Sequence, residues 1–321
     1  MKKIKEYLKR INEVAIDNNR STLFMTIDML IWYVFYGATL TDYLNYEFYK
    51  RTFKERRKYA VVRTQGKFYE RVSPSLYKEF FTIKPNFLNN FKEYVKRDYY
   101  ILEYGIEKLN EFLKNNKEFM IKPIDGLGGA SVRKMKSNSV TNMQEFMDKL
   151  INERLFLEEL IIQHKKMSAL CESSVNTIRI MTFVNNDKSE ILYAALRVGN
   201  GVYEVDNFHK GGMGVSIDTK TGKLKGNAID KDLKEYKRHP VSKTYFDKFA
   251  LPFWSETKEL VLKAAKVNQN IKVVGWDVAI TKTGPILVEG NRRAGFDLVQ
   301  VLSKKGRKDI MYHVNNELNK R

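Results

Sequence analysis

Near the C-terminal part of this 321-residue chain, two carboxylates and one carboxamide are spaced in a way that suits metal chemistry. The run VVGWDVAI-TKTGP-ILVEGN, residues 273–291, reads as two apolar strands around a short turn near Thr283. Antiparallel pairing about that turn joins residues whose numbers add to about 566, so Asp277 faces Glu289 and Gly275 faces Asn291. Glu289 and Asn291 are two apart and share a face, and Asp277 lies on that same face. A bulge would move this register by one residue. Opposed carboxylates repel unless a cation lies between them, and three oxygen donors on one surface suit a hard dication. Magnesium bound to phosphates is the natural occupant. The competing reading is a solvated pair balanced by lysines. The apolar strands around the pair, and Arg292 and Arg293 just after it, weigh against that.

A second hairpin, TIRIMTFV-NNDKS-EILYAALRV, spans residues 177–198 with its turn near Asp187. One face carries Ile178, Ile180, Ala194, Leu196 and Val198, an apolar core face. The other carries Arg179 and, diagonally across the ladder, Arg197. Two guanidinium groups on one face call for an anion, and arginine forks suit phosphate or carboxylate. Pairing of each arginine with a nearby Asp or Glu is the alternative. Upstream, FMIKPIDGLGGASVRKM (119–135) is a short strand followed by Gly126, Gly128 and Gly129. Such a loop lets backbone N–H groups approach phosphate oxygens, with Lys122 in reach as a point charge. No Walker or Rossmann spacing accompanies it, and an ordinary flexible hairpin fits equally. LFLEELIIQH (155–164) is an apolar strand with Glu158 and Glu159 at its end, able to offer backbone groups to a purine.

Taken together and in order, IKPIDGLGGASV, LEELIIQH, SVNTIRIMTFV, ALRVGNGVYEVDNFHKGGMGVSID and VGWDVAITKTGPILVEGN resemble the ATP-grasp superfamily, most closely its sugar-transfer associated branch. The resemblance covers roughly residues 80–300. It implies an α+β, ATP-grasp fold: two α+β lobes clamping ATP, preceded by an N-terminal helical region. By the same resemblance Lys122 and Lys84 contact the nucleotide phosphates, under a loop that includes Gly126, Gly128, Gly129, Ala130 and Ser131. Ser131 stands where the family often has a further glycine. Glu158 is placed on the adenine amino group, and the backbones of Glu159 and Ile161 on the ring. Asp277, Glu289 and Asn291 hold two magnesium ions (Mg2+), while Arg179 and Arg197 neutralise the transferring phosphoryl group. Asp206, Asn207 and the Gly211–Gly212 turn match a segment lining the site.

The elements that must position these residues fall into three expected regions: helices over 1–75, a first lobe over 76–162, and a second lobe over 163–321. Ile4, Leu8 and Ile11 recur at helical spacing, and residues 75–117 are again helical. From 118 onward short β-rich runs punctuated by glycine predominate, with helices returning at 255–268 and after 297. The most apolar window, TLFMTIDMLIWYVFYG (22–37), contains Asp28 and is too short to span a bilayer, so a buried or interfacial helix is expected. No secretory leader is expected, because no apolar stretch with a small-residue cleavage site promptly follows the basic first ten residues, and a single cysteine, Cys171, excludes an internal disulfide framework. Cys171 reads as a small buried filler.

The resemblance implies an ATP-dependent carboxylate–amine ligase that works through an acyl phosphate. Its partners are ATP, a carboxylate and an amine acceptor, with acid or amine carried on a glycan precursor such as a uronic acid. A kinase on the same scaffold is the first alternative. The formal charge of +19, from 57 Lys and Arg against 38 Asp and Glu, supports a second: a binder of nucleic acid or a membrane surface. No RNP-like signature, zinc-finger spacing or concentrated basic helix marks a nucleic-acid partner. Expected location is the cytoplasm or the inner face of the membrane, with peripheral contact only. Of the four histidines (His164, His209, His239, His313), His209 alone is a catalytic candidate.

Overall fold

The computed structural model describes residues 2–125, 132–201, 208 and 211–320, with side chains from Lys5 onward. Two antiparallel sheets carry the β-rich half. The smaller contains β1 (Tyr99–Tyr100), β2 (Glu118–Pro123), β3 (Arg133–Lys136) and β4 (Leu155–Glu159) in the order β1-β4-β2-β3. The larger contains β5 (Thr177–Asn185), β6 (Lys188–Val198), β7 (Met213–Ile217), β8 (Leu224–Asp230), β9 (Glu235–Tyr236), β10 (Val273–Thr281) and β11 (Gly284–Asn291). Its order is β11-β10-β5-β6-β7-β8-β9.

The apolar run Val273–Ile280 is buried along its whole length because β10 lies inside the larger sheet with helices on both faces. On one face Trp276 packs against Phe81 and Phe91, with ring centroids 5.8 and 5.2 Å away. Its indole N–H donates to Thr182 Oγ1 at 2.8 Å, so the buried polar tip is satisfied. On the other face Val273 joins a cluster with Phe68, Tyr69, Phe296 and Val299, from the helices Val62–Val72 and Asp297–Ser303 and the turn before the latter. The helix Lys84–Asn90 has Pro85 in its first turn, where a missing N–H costs nothing. The Lys84 N–H donates to Ile124 O at 3.0 Å, which ties that helix to the end of β2.

Both hairpins keep the expected register at the ends that matter. Asp277 pairs with Glu289 and Gly275 with Asn291, then a bulge at Val288 shifts the remainder so that Val278 meets Leu287. In the β5–β6 hairpin Arg179 pairs with Ala195, and a bulge at Leu192 does the same nearer the turn. The N-terminal region is helical, with Lys2–Asp17 and Thr22–Ile31 leading a series of short helices. Met25, Trp32, Tyr43 and Phe48 from this region pack with Ile229, Leu298 and Val301 into a second core. Among the described residues no helix is long and apolar enough to cross a membrane.

Candidate active site

Between the two sheets lies a cleft of about 590 Å³. The smaller sheet contributes Met120, Lys122 and Glu158, and the connection Leu160–Gln163 closes one end. Thr177, Arg197, Asp277 and Glu289 form the wall from the larger sheet. The connection is anchored firmly. His164 N–H donates to Ile280 O at 2.7 Å, and Gln163 Nε2 donates to the carbonyls of Cys171 and Ser174, each at 2.9 Å. Asn176, fully buried, donates to Met167 O and Cys171 O and so fixes the segment that leads into β5. Cys171 is buried in this knot; burial pushes its thiol up, but hydrogen bonds with His239, Ser173 and Ser174 outweigh it and bring it down to about 6.

Asp277 sits on the floor of the cleft with 5% of its side chain exposed. Arg179 holds it as a fork: Nε is 2.5 Å from Oδ1 and Nη2 is 3.0 Å from Oδ2. Arg197 Nη1 reaches Oδ2 at 3.3 Å, while Arg197 Nε donates to Thr177 Oγ1 at 3.1 Å. The two guanidinium groups on one sheet face therefore share a carboxylate, the arrangement weighed as the alternative to an anion site. Burial pushes the Asp277 carboxyl up, but Arg179 and Arg197 outweigh it and hold the group below its usual range. Glu289, opposite, keeps about a third of its side chain exposed and accepts from Lys84 Nζ at 2.6 Å. Near the end of the same strand, Asn291 has a buried Nδ2 without a hydrogen-bond partner.

This donor set fits a hard dication. Two carboxylates and an amide oxygen share one face, and Glu289 opens to the cleft. Among the described residues no group of three His, Cys, Asp or Glu side chains forms a second candidate.

At the opposite wall Glu158 is buried, with both oxygens engaged. Arg97 Nη2 donates to Oε1 and Lys122 Nζ to Oε2. Burial pushes this carboxyl up, yet Arg97 and Lys122 together carry it down to about 2. Arg97 also donates to Leu287 O at 2.5 Å and to Val288 O at 3.3 Å, so one guanidinium joins β4 to the bulge of β11. Sequence reading missed Arg97, whose surroundings, VKRDYY, look like an ordinary charged helix end. Glu159 accepts from Asp98 N–H at 2.9 Å, and Ile161 lines the cleft just past the end of β4. Gly126, Gly128, Gly129, Ala130, Ser131, Asp206, Asn207 and His209 lie outside the described residues.

The sequence matches a family described as sugar-transfer associated ATP-grasp over residues 45–316. A comparison with curated protein sequences finds no match. Among solved structures the chain is similar to the ATP-grasp ligase PsnB complexed with a minimal precursor. The identity is 15% and the TM-score 0.47, covering 77% of this chain and 64% of that one. It is similar to D-cycloserine synthetase DcsG at 11% identity and TM-score 0.46, covering 77% and 74%. A third similarity is to N5-carboxyaminoimidazole ribonucleotide synthetase from Thermotoga maritima, at 11% identity and TM-score 0.40, covering 73% and 49%. The chain thus spans less than two thirds of the length of PsnB.

Proposed function

This chain belongs to the sugar-transfer associated ATP-grasp family, and from that premise we propose that it is an ADP-forming carboxylate–amine ligase. ATP enters the cleft between the sheets, and its γ-phosphoryl group passes to a substrate carboxylate. An amine then attacks the acyl phosphate, expelling phosphate and leaving an amide. The chemistry needs no protein nucleophile; positioning and charge neutralisation supply the rate. One observation carries the reading: Asp277 and Glu289 oppose each other on a hairpin face, ringed by Arg179, Arg197 and Lys84, at the wall of a nucleotide-sized cleft.

In this proposal residues 76–162 and 163–321 are the lobes that clamp ATP, and 1–75 is an added helical region. Lys122 turns from Glu158 to the α- and β-phosphates, which frees Oε2 of Glu158 for the adenine amino group. The backbones of Glu159 and Ile161 read the ring edge, while Lys84 and the loop of Gly126, Gly128, Gly129, Ala130 and Ser131 cover the phosphates. Asp277, Glu289 and Asn291 would hold two magnesium ions, which when bound neutralise polyphosphate charge. Arg179 fixes Asp277, and Arg197 offsets charge on the transferring group. The acid or the amine belongs to a cell-surface polysaccharide precursor, a uronic acid being the simplest, met in the cytoplasm.

Purified protein, ATP and magnesium are incubated with a panel of uronic acids and amines, with ADP followed by a coupled assay and products by mass spectrometry. ADP formation that requires both acid and amine is expected, with hydroxylamine trapping the acyl phosphate as a hydroxamate. ADP without an amine, accompanied by a stable phosphorylated product, assigns a kinase instead. No ADP across the panel defeats the substrate class.

A further inference from the structure

The N-terminal helices present an apolar face that the ligase reading does not use. Leu23, Ile27, Leu30 and Val34 follow one another at helical spacing, flanked by Phe24 and Phe35, and all are exposed, Leu23 by 71% and Phe35 by 72%. Helical turns continue from Thr22 to Tyr36 and stop at Gly37, whose left-handed backbone caps the end. The opposite face is fastened to the protein: Met25 and Trp32 are buried, and the Trp32 ring meets Phe48 at 5.1 Å. Asp28, the one charged residue in this stretch, is turned away from the stripe. Arg56 Nη1 lies 2.8 Å from both its oxygens, and Tyr43 Oη donates to it at 2.7 Å. The outward face is therefore apolar and free of charge.

Cations rim it. Phe53, half-exposed, contacts Trp32 and Tyr36 at 5.7 Å each and extends the apolar surface to residues 54–58, where exposed Lys54, Arg57 and Lys58 outnumber the one carboxylate, Glu55. The Arg57 guanidinium lies 5.8 Å from the Phe53 ring, and Arg63 donates to the carbonyls of Tyr33 and Val34 at the far end. Arg20 is exposed just before the near end.

We propose that residues 22–36, with Phe53 and its basic neighbours, dock the protein onto the headgroup region of an anionic lipid bilayer. An interfacial helix needs an uncharged apolar face that enters the headgroup boundary and cations that meet the negative surface. Both are present in one patch. A second copy of the chain is the poorer occupant, because it would bring two like-charged rims together on molecules that each carry +19.

The test is co-sedimentation of the full chain with vesicles of phosphatidylcholine alone and of phosphatidylcholine with phosphatidylglycerol at roughly two to one. Salt-sensitive binding to the anionic vesicles and weak binding to the neutral ones is expected. The triple variant Leu23→Asn, Ile27→Asn, Phe35→Ser changes exposed side chains only. It should lower partition about ten-fold or more, with circular dichroism unchanged. Lys54→Gln with Arg57→Gln should weaken binding to the anionic vesicles alone. Absent binding of the unaltered chain, or full binding by the triple variant, overturns the proposal. It is equally overturned if sedimentation velocity shows a dimer that the triple variant abolishes, or if only an acidic protein, and no vesicle, is bound through the patch.

Discussion

Arg97 and Glu158 meet at the seam between the two sheets, each with only 3% of its side chain exposed. Removing Glu158 leaves Arg97 buried with only neutral carbonyls for partners, and removing Arg97 leaves the buried Glu158 with Lys122 alone. Arg97→Met or Glu158→Gln should therefore each cost on the order of 3–5 kcal/mol in urea unfolding. The double variant should lose less than the sum of the two. The same group sets an acid limit. The Glu158 carboxyl falls from an ordinary 4.5 to about 2 on folding, so its contribution is fully present above pH 4.5 and is lost as pH falls toward 2. Urea midpoints between pH 5 and pH 2 should drop more steeply in the unaltered protein than in Glu158→Gln.

The acidic pair separates structure from chemistry. Glu289 is about a third exposed, and its ion pair with Lys84 is partly wet, so Glu289→Gln should change stability by less than about 1 kcal/mol. In the proposed reaction it should still lower ADP formation by about a hundred-fold or more. Asp277→Asn is different. It leaves Arg179 and Arg197 facing a neutral amide in a buried place, so both turnover and the urea midpoint should fall. An active Glu289→Gln enzyme would remove the proposed role of that carboxylate.

The register of these strands was legible in sequence because apolar runs and turn residues bound both hairpins closely. The agreement at Asp277–Glu289 nevertheless rests on a compensation. Thr281 pairs with Gly284, so the loop is tighter than a turn centred on Thr283, and the unpaired Val288 restores the alignment at the site. Arg197 and Arg179 were placed on one face by alternation alone. Their shared partner, Asp277, lies 98 residues from Arg179 and could not be read from spacing. Arg97 was hidden for the same reason, since its partners stand 61 and 190 residues away. Local periodicity identifies faces, whereas tertiary packing chooses which charges meet.

Gly290 tests how closely the metal hairpin is packed. It lies between Glu289 and Asn291, and a Cβ there would stand 2.4 Å from the Phe81 ring and 3.2 Å from Phe87. Those rings belong to the stack that covers Trp276, so they have little room to retreat. Gly290→Ala should cost about 1–3 kcal/mol by overpacking. It should also raise the KM for ATP by displacing the residues on either side. Urea unfolding and steady-state kinetics check the two effects separately, and an unchanged midpoint would show that the stack yields freely.

Nucleotide binding should appear in stability before any substrate is known. A ligand that binds only the folded state at 100 times its Kd adds about 2.7 kcal/mol, so ATP with magnesium should raise the Tm by several degrees. ATP with EDTA should raise it much less if Asp277, Glu289 and Asn291 bind through metal. Lys122→Met removes both a proposed phosphate contact and a partner of Glu158, so its ligand-free Tm should already be lower. Glu289→Gln is the cleaner comparison: its ligand-free Tm should be nearly normal, with the magnesium-dependent part of the shift reduced. A shift of equal size in EDTA, or one retained in full by Glu289→Gln, would mean that the nucleotide is held without this carboxylate.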